Sequence, residues 1–219
     1  MKIWHSVKIC SMPVRRGTAM VDRVKGVEKV TDNPFLNLYN FDVEKRNGKT
    51  GKYYVASRKK DPTQLKAATH KNTSDGVIIY SVYGEKKDKI VLVKQFRYPY
   101  KEVVLELPAG KLEKGSTPLE NGKRELLEET GAIGSGYISL GKLYPSPGYC
   151  GEIIHMYFCR IDHFETQKLD EGEFLNVIKI PLKRAVEMVL NNELPDAKTQ
   201  TAVLKTAMMI DRLKGHPEL

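Results

Sequence analysis

The stretch Gly110-Lys111-Leu112-Glu113-Lys114-Gly115-Ser116-Thr117-Pro118-Leu119-Glu120-Asn121-Gly122-Lys123-Arg124-Glu125-Leu126-Leu127-Glu128-Glu129-Thr130-Gly131-Ala132 decides how this chain is read. Its second half carries agreeing helix signals. Thr117 can cap, Pro118 suits the first helical position, and Glu120 completes a capping box. Gly131 supplies the stop, because glycine accepts the left-handed conformation that follows a helix. The spacing therefore predicts a helix over Pro118–Thr130. Glu125, Glu128 and Glu129 lie three and four residues apart, within a sector of about 100°. Leu119, Leu126 and Thr130 form a neighbouring sector that can pack inward. Three like charges this close repel one another, so the face calls for a positive partner. On its own, an acidic helix face is more often simply solvated.

The residues just upstream change that balance. Leu105-Glu106-Leu107-Pro108-Ala109-Gly110-Lys111 reads as a strand end followed by a glycine-bearing loop that leads into the acidic helix. Such a loop can turn backbone carbonyls toward a cation held by the helix. Carboxylate, carbonyl and water oxygens suit Mg²⁺, which binds substrate phosphates while keeping several waters. Mn²⁺ is the expected substitute. Clustered ions of this kind polarise a phosphoryl oxygen and activate water.

Outward from this core the chain reads mainly as strands. Phe35–Phe41 and Lys52–Ser57 flank a turn at Arg46-Asn47-Gly48-Lys49, which predicts a hairpin. Asp61–Asp75 is polar and reads as a linker or loop. Val77–Val82, Ile90–Phe96 and Val103–Leu107 are strand-like, with a charged turn at Gly84–Lys89 between the first two. After the helix come Ile138–Leu143, Ile153–Ile161 and Phe174–Ile180, then helices near Leu182–Asn191 and Ala197–Leu213. A mixed sheet with a few helices is an α+β fold or an α/β/α sandwich.

Composition sets the outer bounds. The chain has 219 residues and a net charge of +9, and that charge is lopsided. Residues 1–75 hold 16 Lys+Arg against 7 Asp+Glu, and the remainder holds 20 of each. The basic part reads as a solvated surface or as steering for a small phosphorylated ligand. No stacking-aromatic or helix-turn-helix pattern accompanies it, so no nucleic-acid partner is expected. No apolar run is long enough for a membrane span, and no membrane partner is expected. Residues 1–34 read as a flexible basic leader without the apolar stretch of a signal peptide, and Met20 is a second possible start. Cys10, Cys150 and Cys159 are too few and too scattered for a disulfide framework, which fits a reducing cytoplasm.

The pattern over Gly110–Ala132 resembles the Nudix box, G-x5-E-x7-R-E-U-x-E-E-x-G-U, with U a bulky apolar residue. Gly110 opens it, and Arg124-Glu125-Leu126-Leu127-Glu128-Glu129-Thr130-Gly131-Ala132 closes it with the right spacing. Two positions depart. Ser116 stands where the first Glu is expected, and Ala132 is smaller than usual. In the family that first Glu mainly supports the loop against the helix, while the later glutamates hold metal. Glu120, four residues before Arg124, is a candidate replacement partner for it.

The resemblance runs from about Phe35 to Leu213. Gln95-Phe96-Arg97-Tyr98-Pro99, Glu106-Leu107-Pro108-Ala109-Gly110-Lys111, Tyr144-Pro145-Ser146-Pro147-Gly148 and Asp196-Ala197-Lys198-Thr199 are similar to the ADP-ribose pyrophosphatase group of the family. The resemblance implies a Nudix α/β/α sandwich over 76–219 and an N-terminal β extension over 35–75 that pairs two subunits as a homodimer. It also implies Mg²⁺-dependent cleavage of ADP-ribose or a similar nucleoside diphosphate sugar to AMP and a sugar phosphate. Another pyrophosphatase, acting on dinucleoside polyphosphates, and a non-catalytic ADP-ribose sensor are the alternatives. Metal falls to Ala109, Glu125, Glu128 and Glu129, and the attacking water to Glu171 or Glu173.

Substrate contacts fall to Arg58, Arg97, Glu106, Ser146, Pro147, Gly148 and Tyr149. Arg97 is suited to clamp a phosphate with two donors, or to make a surface ion pair at a strand end. Arg58 matches a position that reaches substrate across the dimer interface. Tyr149 is either a stacking platform or a packing residue. Cys150 is either a reactive thiol or a plain loop residue. The signatures of NADH- and coenzyme-A-cleaving relatives are absent.

Overall fold

The computed structural model describes residues 23–169 and 175–214, with side chains through Met209. Three strands come first: β1 (Val24–Lys29), β2 (Asn37–Glu44) and β3 (Thr50–Ser57). They form an antiparallel sheet in the order β1-β2-β3, with Asn37 opposite Ser57 and Glu44 opposite Thr50. The expected hairpin is present, and Gly48 takes a positive φ of 76° in its turn. Strand β1 falls within the stretch read as a leader. Its sequence, Val-Lys-Gly-Val-Glu-Lys, is short and half charged, so its strand character comes from pairing with β2.

The stretch Asp61–Asp75 is also more ordered than a linker. A 3₁₀ turn at Pro62–Gln64 is capped by Asp61, and a four-residue helix α1 (Lys66–Thr69) follows. Between them Leu65 is buried against Tyr39 and Phe41, giving the extension a small core of its own.

The second sheet runs β4 (Gly76–Tyr83), β5 (Lys89–Arg97), β6 (Glu102–Glu106), β7 (Ala109–Lys111), β8 (Ala132–Leu143), β9 (Ile154–Phe164) and β10 (Leu175–Pro181). The main order is β10-β5-β4-β9-β8; β6 pairs with β5, and β7 with β4. Strands β4 and β5 pair only near their shared turn, at Val82–Ile90 and Tyr83–Lys89. Beyond that they splay, and β6 and β7 fill the opening. The splay carries the chain from Glu106 through Leu107 and Pro108 into the glycine loop.

Strand β4 runs parallel to β9 and is buried on both faces, as its unbroken apolar run requires. Val77 and Ile79 point toward helix α2 (Pro118–Thr130) with Leu126, Cys159 and Ile161. Ile78, Tyr80 and Val82 point the other way, toward α3 (Leu182–Leu190) and α4 (Ala197–Lys214). The result is the expected α/β/α sandwich. Helix α2 begins and ends where the sequence places it, with both halves of the capping box formed and Gly131 left-handed at φ 69°. Strand β8 starts directly after Gly131, six residues before the sequence suggested. Gly134 and Gly136 disguise it, and its register slips at three places. Among the described residues no helix is long and apolar enough to cross a membrane.

Candidate active site

Helix α2 lies across β7, and three of its side chains meet the glycine loop. Glu129 is buried, and its carboxylate accepts the Ala109 N–H at 2.9 Å. Glu125 stands directly beside Gly110, and a Cβ at position 110 would fall inside its carboxylate. That explains the glycine. Its backbone needs no left-handed conformation, only room for a carboxylate. Asn121 continues the contact, donating to the Lys111 carbonyl at 2.8 Å.

Arg124 supplies the positive partner that the acidic face calls for. It donates to Glu125 at 2.6 Å and to Glu128, and it pairs with Glu113 of the loop at 3.1 Å. Glu120 does not take this role. Its carboxylate is spent on the Thr117 N–H and hydroxyl as half of the capping box. Ser116, where the box has its first Glu, reaches only the neighbouring Thr117 carbonyl. Burial raises the Glu125 carboxyl above its ordinary value; Arg124 opposes this and Glu128 adds to it.

Glu125 and Glu128 share the Arg124 guanidinium, so one cation already sits on this face. With Arg124 so placed, no three His, Cys, Asp or Glu side chains among the described residues form a ready metal cage. The donor set is nonetheless hard carboxylate oxygen on one helix face beside the half-buried backbone of Ala109 and Gly110, which fits Mg²⁺ or Mn²⁺. Ala109 meets this face through its N–H.

Arg97 is not a free phosphate clamp. Its Nε and Nη2 both donate to Glu106 at 2.6 Å, and Glu106 is only 3% exposed. Its guanidinium pKa is raised by that hydrogen bond above all, against the cost of burial. Lys198 lies 3.4 Å from Glu106 Oε2, the oxygen that also accepts Arg97 Nη2, and it pairs with Asp196. Asp196 caps α4 by accepting the Thr199 N–H, and the Thr199 hydroxyl accepts the Leu107 N–H at 2.9 Å. The strand end before the glycine loop is thus tied to α4. In the sequence, Asp196-x-x-Thr199 reads as a helix start, but its partner on Leu107 has no local signal.

The other predicted substrate residues gather elsewhere. Arg58, Ser146, Pro147 and Tyr149 line a cavity of about 1270 Å³ between the extension and the sandwich, reaching Lys111–Lys114 and Ser116. Glu125, Glu128, Glu129, Arg97 and Glu106 are not among its lining residues. The Ser146–Cys150 loop is stitched to β3: Ala56 N–H donates to the Tyr149 carbonyl at 2.8 Å, and Tyr53 donates to that of Gly148. Arg58 pairs with Glu152. Tyr149 is 60% exposed, so it does not serve as packing. Burial raises the Cys150 thiol, which leaves it an ordinary loop residue rather than an activated thiolate. Glu171 and Glu173 lie outside the described residues.

A family profile described as the NUDIX domain matches residues 72–202, and the chain belongs to the Nudix family. It is a Nudix hydrolase by its relatives as well. It is 35% identical to an ADP-ribose pyrophosphatase of Bacillus subtilis over 178 residues, covering 80% of this chain and 87% of the relative. A methanol dehydrogenase activator of Bacillus methanolicus is 32% identical, with 85% and 93% covered. A GDP-mannose pyrophosphatase of Salmonella typhimurium is 26% identical, with 84% and 95% covered. Among solved structures, that of an ADP compounds hydrolase superposes with a TM-score of 0.70 at 19% identity, over 88% of this chain and 95% of that one. That last likeness speaks for the fold alone.

Proposed function

We propose that this hydrolase cleaves the pyrophosphate of ADP-ribose, or of a related nucleoside diphosphate sugar, in a reaction that needs Mg²⁺ or Mn²⁺ and yields AMP and a sugar phosphate. The observation that carries the proposal is the carboxylate face of α2 laid against the Gly110 backbone, with Glu129 fastened to Ala109. The B. subtilis relative supports the choice of ADP-ribose.

Glu125, Glu128 and Glu129, with the Ala109 carbonyl, would hold the metal. Bound there, it would neutralise phosphate charge and lower the pKa of a water. The protein's own part is largely positioning. The Ala109 N–H fixes Glu129, and Gly110 makes room for Glu125. Arg97 orients Glu106 through its Nε and Nη2, which leaves the Arg97 Nη1 for a phosphate oxygen. Glu171 or Glu173 would orient the attacking water. The cavity beside Tyr149 and Arg58 suits the nucleoside end of the substrate. We place the enzyme in the cytoplasm as a homodimer paired through residues 35–75.

The test is a panel of ADP-ribose, GDP-mannose and diadenosine polyphosphates in Mg²⁺, with products resolved by chromatography. ADP-ribose should be turned over with the highest kcat/KM. Preference for another member would move the substrate assignment to that member.

A further inference from the structure

We infer that Asn121 is a positioning residue for the reaction: a saturated buried amide that holds the glycine loop, Glu125 and Arg124 in one arrangement. Asn121 is 1% exposed at the end of the first turn of α2. A primary amide has two donor hydrogens and two acceptor sites. Here all four are used. The Nδ2 donates to the Lys111 carbonyl at 2.8 Å and to Glu125 Oε1 at 3.2 Å. The Oδ1 accepts the Glu113 N–H at 3.2 Å and Arg124 Nη2 at 3.3 Å. Neighbours on both sides dictate its orientation, because a flipped amide would set NH₂ against two donors and oxygen against two acceptors.

Helix geometry puts this residue where it can act. Asn121 precedes Arg124 by three residues and Glu125 by four, so all three share one face. Its two backbone contacts bracket Leu112, just past the point where Gly110 meets Glu125. One side chain therefore sets both the path of the loop and the place of a carboxylate. Nothing else at the front of the box does so. Ser116 stays on its own neighbour, and Glu113 reaches Arg124 only through a largely exposed carboxylate. A buried asparagine within a helix is unfavourable by propensity, and four satisfied bonds offset that cost.

The kinetic arm of the test rests on the ADP-ribose activity proposed above; the exchange arm does not. Asn121→Asp keeps the shape but turns oxygen toward the Lys111 carbonyl and the Glu125 carboxylate. In metal-free protein the Leu112 and Glu113 amides should exchange about 10-fold faster or more, because oxygen–oxygen repulsion replaces the two Nδ2 bonds that hold this segment. With ADP-ribose, kcat should fall about 10- to 100-fold, with KM within about threefold. Asn121→Ser, which puts a single shorter hydroxyl in place of the amide, should fall between. Val203→Ala, a core deletion on α4, serves as a control for lost stability and should spare both readouts.

If Asn121→Asp folds poorly, Asn121→Ser decides alone. Exchange and kcat within about twofold of the natural protein would overturn the inference. So would losses no greater than those of Val203→Ala at equal Tm. If the natural protein leaves ADP-ribose intact, the activity proposal fails and loop exchange still judges Asn121.

Discussion

Glu125 shows what the candidate site costs the fold. Burial raises its carboxyl pKa, so the native protein holds that proton more tightly than the unfolded chain does. By linkage, stability then falls as pH rises from the ordinary carboxylate value of 4.5 through the raised folded value. Above that window the charged carboxylate is a standing penalty, and below it the penalty is absent. Glu125→Gln should therefore raise Tm at pH 7, with the gain vanishing near pH 4, while turnover is lost. Thermal melts of both proteins across pH check this. A variant less stable than the natural protein at pH 7 would mean that the bonds to Arg124 and Asn121 outweigh the desolvation of the charge.

At the scale of elements, the Arg97–Glu106 pair joins β5 to the end of β6, and Lys198 brings in α4. Removing Arg97 leaves the buried Glu106 carboxylate with Lys198 alone, at a cost of up to about 3–5 kcal/mol. Arg97→Ala should therefore lower Tm by about 6–20 °C, at about 2–4 °C per kcal/mol for a chain of this size. It should lower kcat/KM as well, because Glu106 adjoins the loop that carries Ala109. Unchanged Tm with weakened kinetics would restore Arg97 to a pure phosphate clamp. The sequence pointed to Arg97 but not to its partner, since Glu106 lies on the next antiparallel strand, nine residues on. Helix α2 was legible to the residue because cap, proline, glycine and carboxylate spacing all agree there. Strand β1 and the start of β8 were not, because glycines and charges hide strands that exist through pairing. Asn121 was silent for a similar reason: its burial depends on a loop that folds over it.

The whole molecule is a sandwich with a second, three-stranded sheet attached through β3 and the Ser146–Cys150 loop. Phe35, Leu36, Tyr53 and Tyr54 of that sheet and its approach leave large apolar side chains in water, Phe35 at 79% exposure. Such surface on an appended element favours association. Sedimentation should give twice the 24.8 kDa of one chain, and Phe35→Asp with Tyr54→Asp should halve it. A single-chain mass for the natural protein at every concentration would remove the homodimer from the account.

The central claim concerns chemistry at the α2 face, and Glu129→Gln tests it most directly. The glutamine oxygen can still accept the Ala109 N–H, so the loop stays in place while one negative charge is lost. With ADP-ribose and Mg²⁺, the natural protein should release AMP and a sugar phosphate, and excess chelator should abolish this. Glu129→Gln, at unchanged Tm, should be slower by about 100-fold or more, the size expected when one preorganised charge is removed from a reaction centre. Undiminished turnover in chelator, or full activity in Glu129→Gln, would contradict the account.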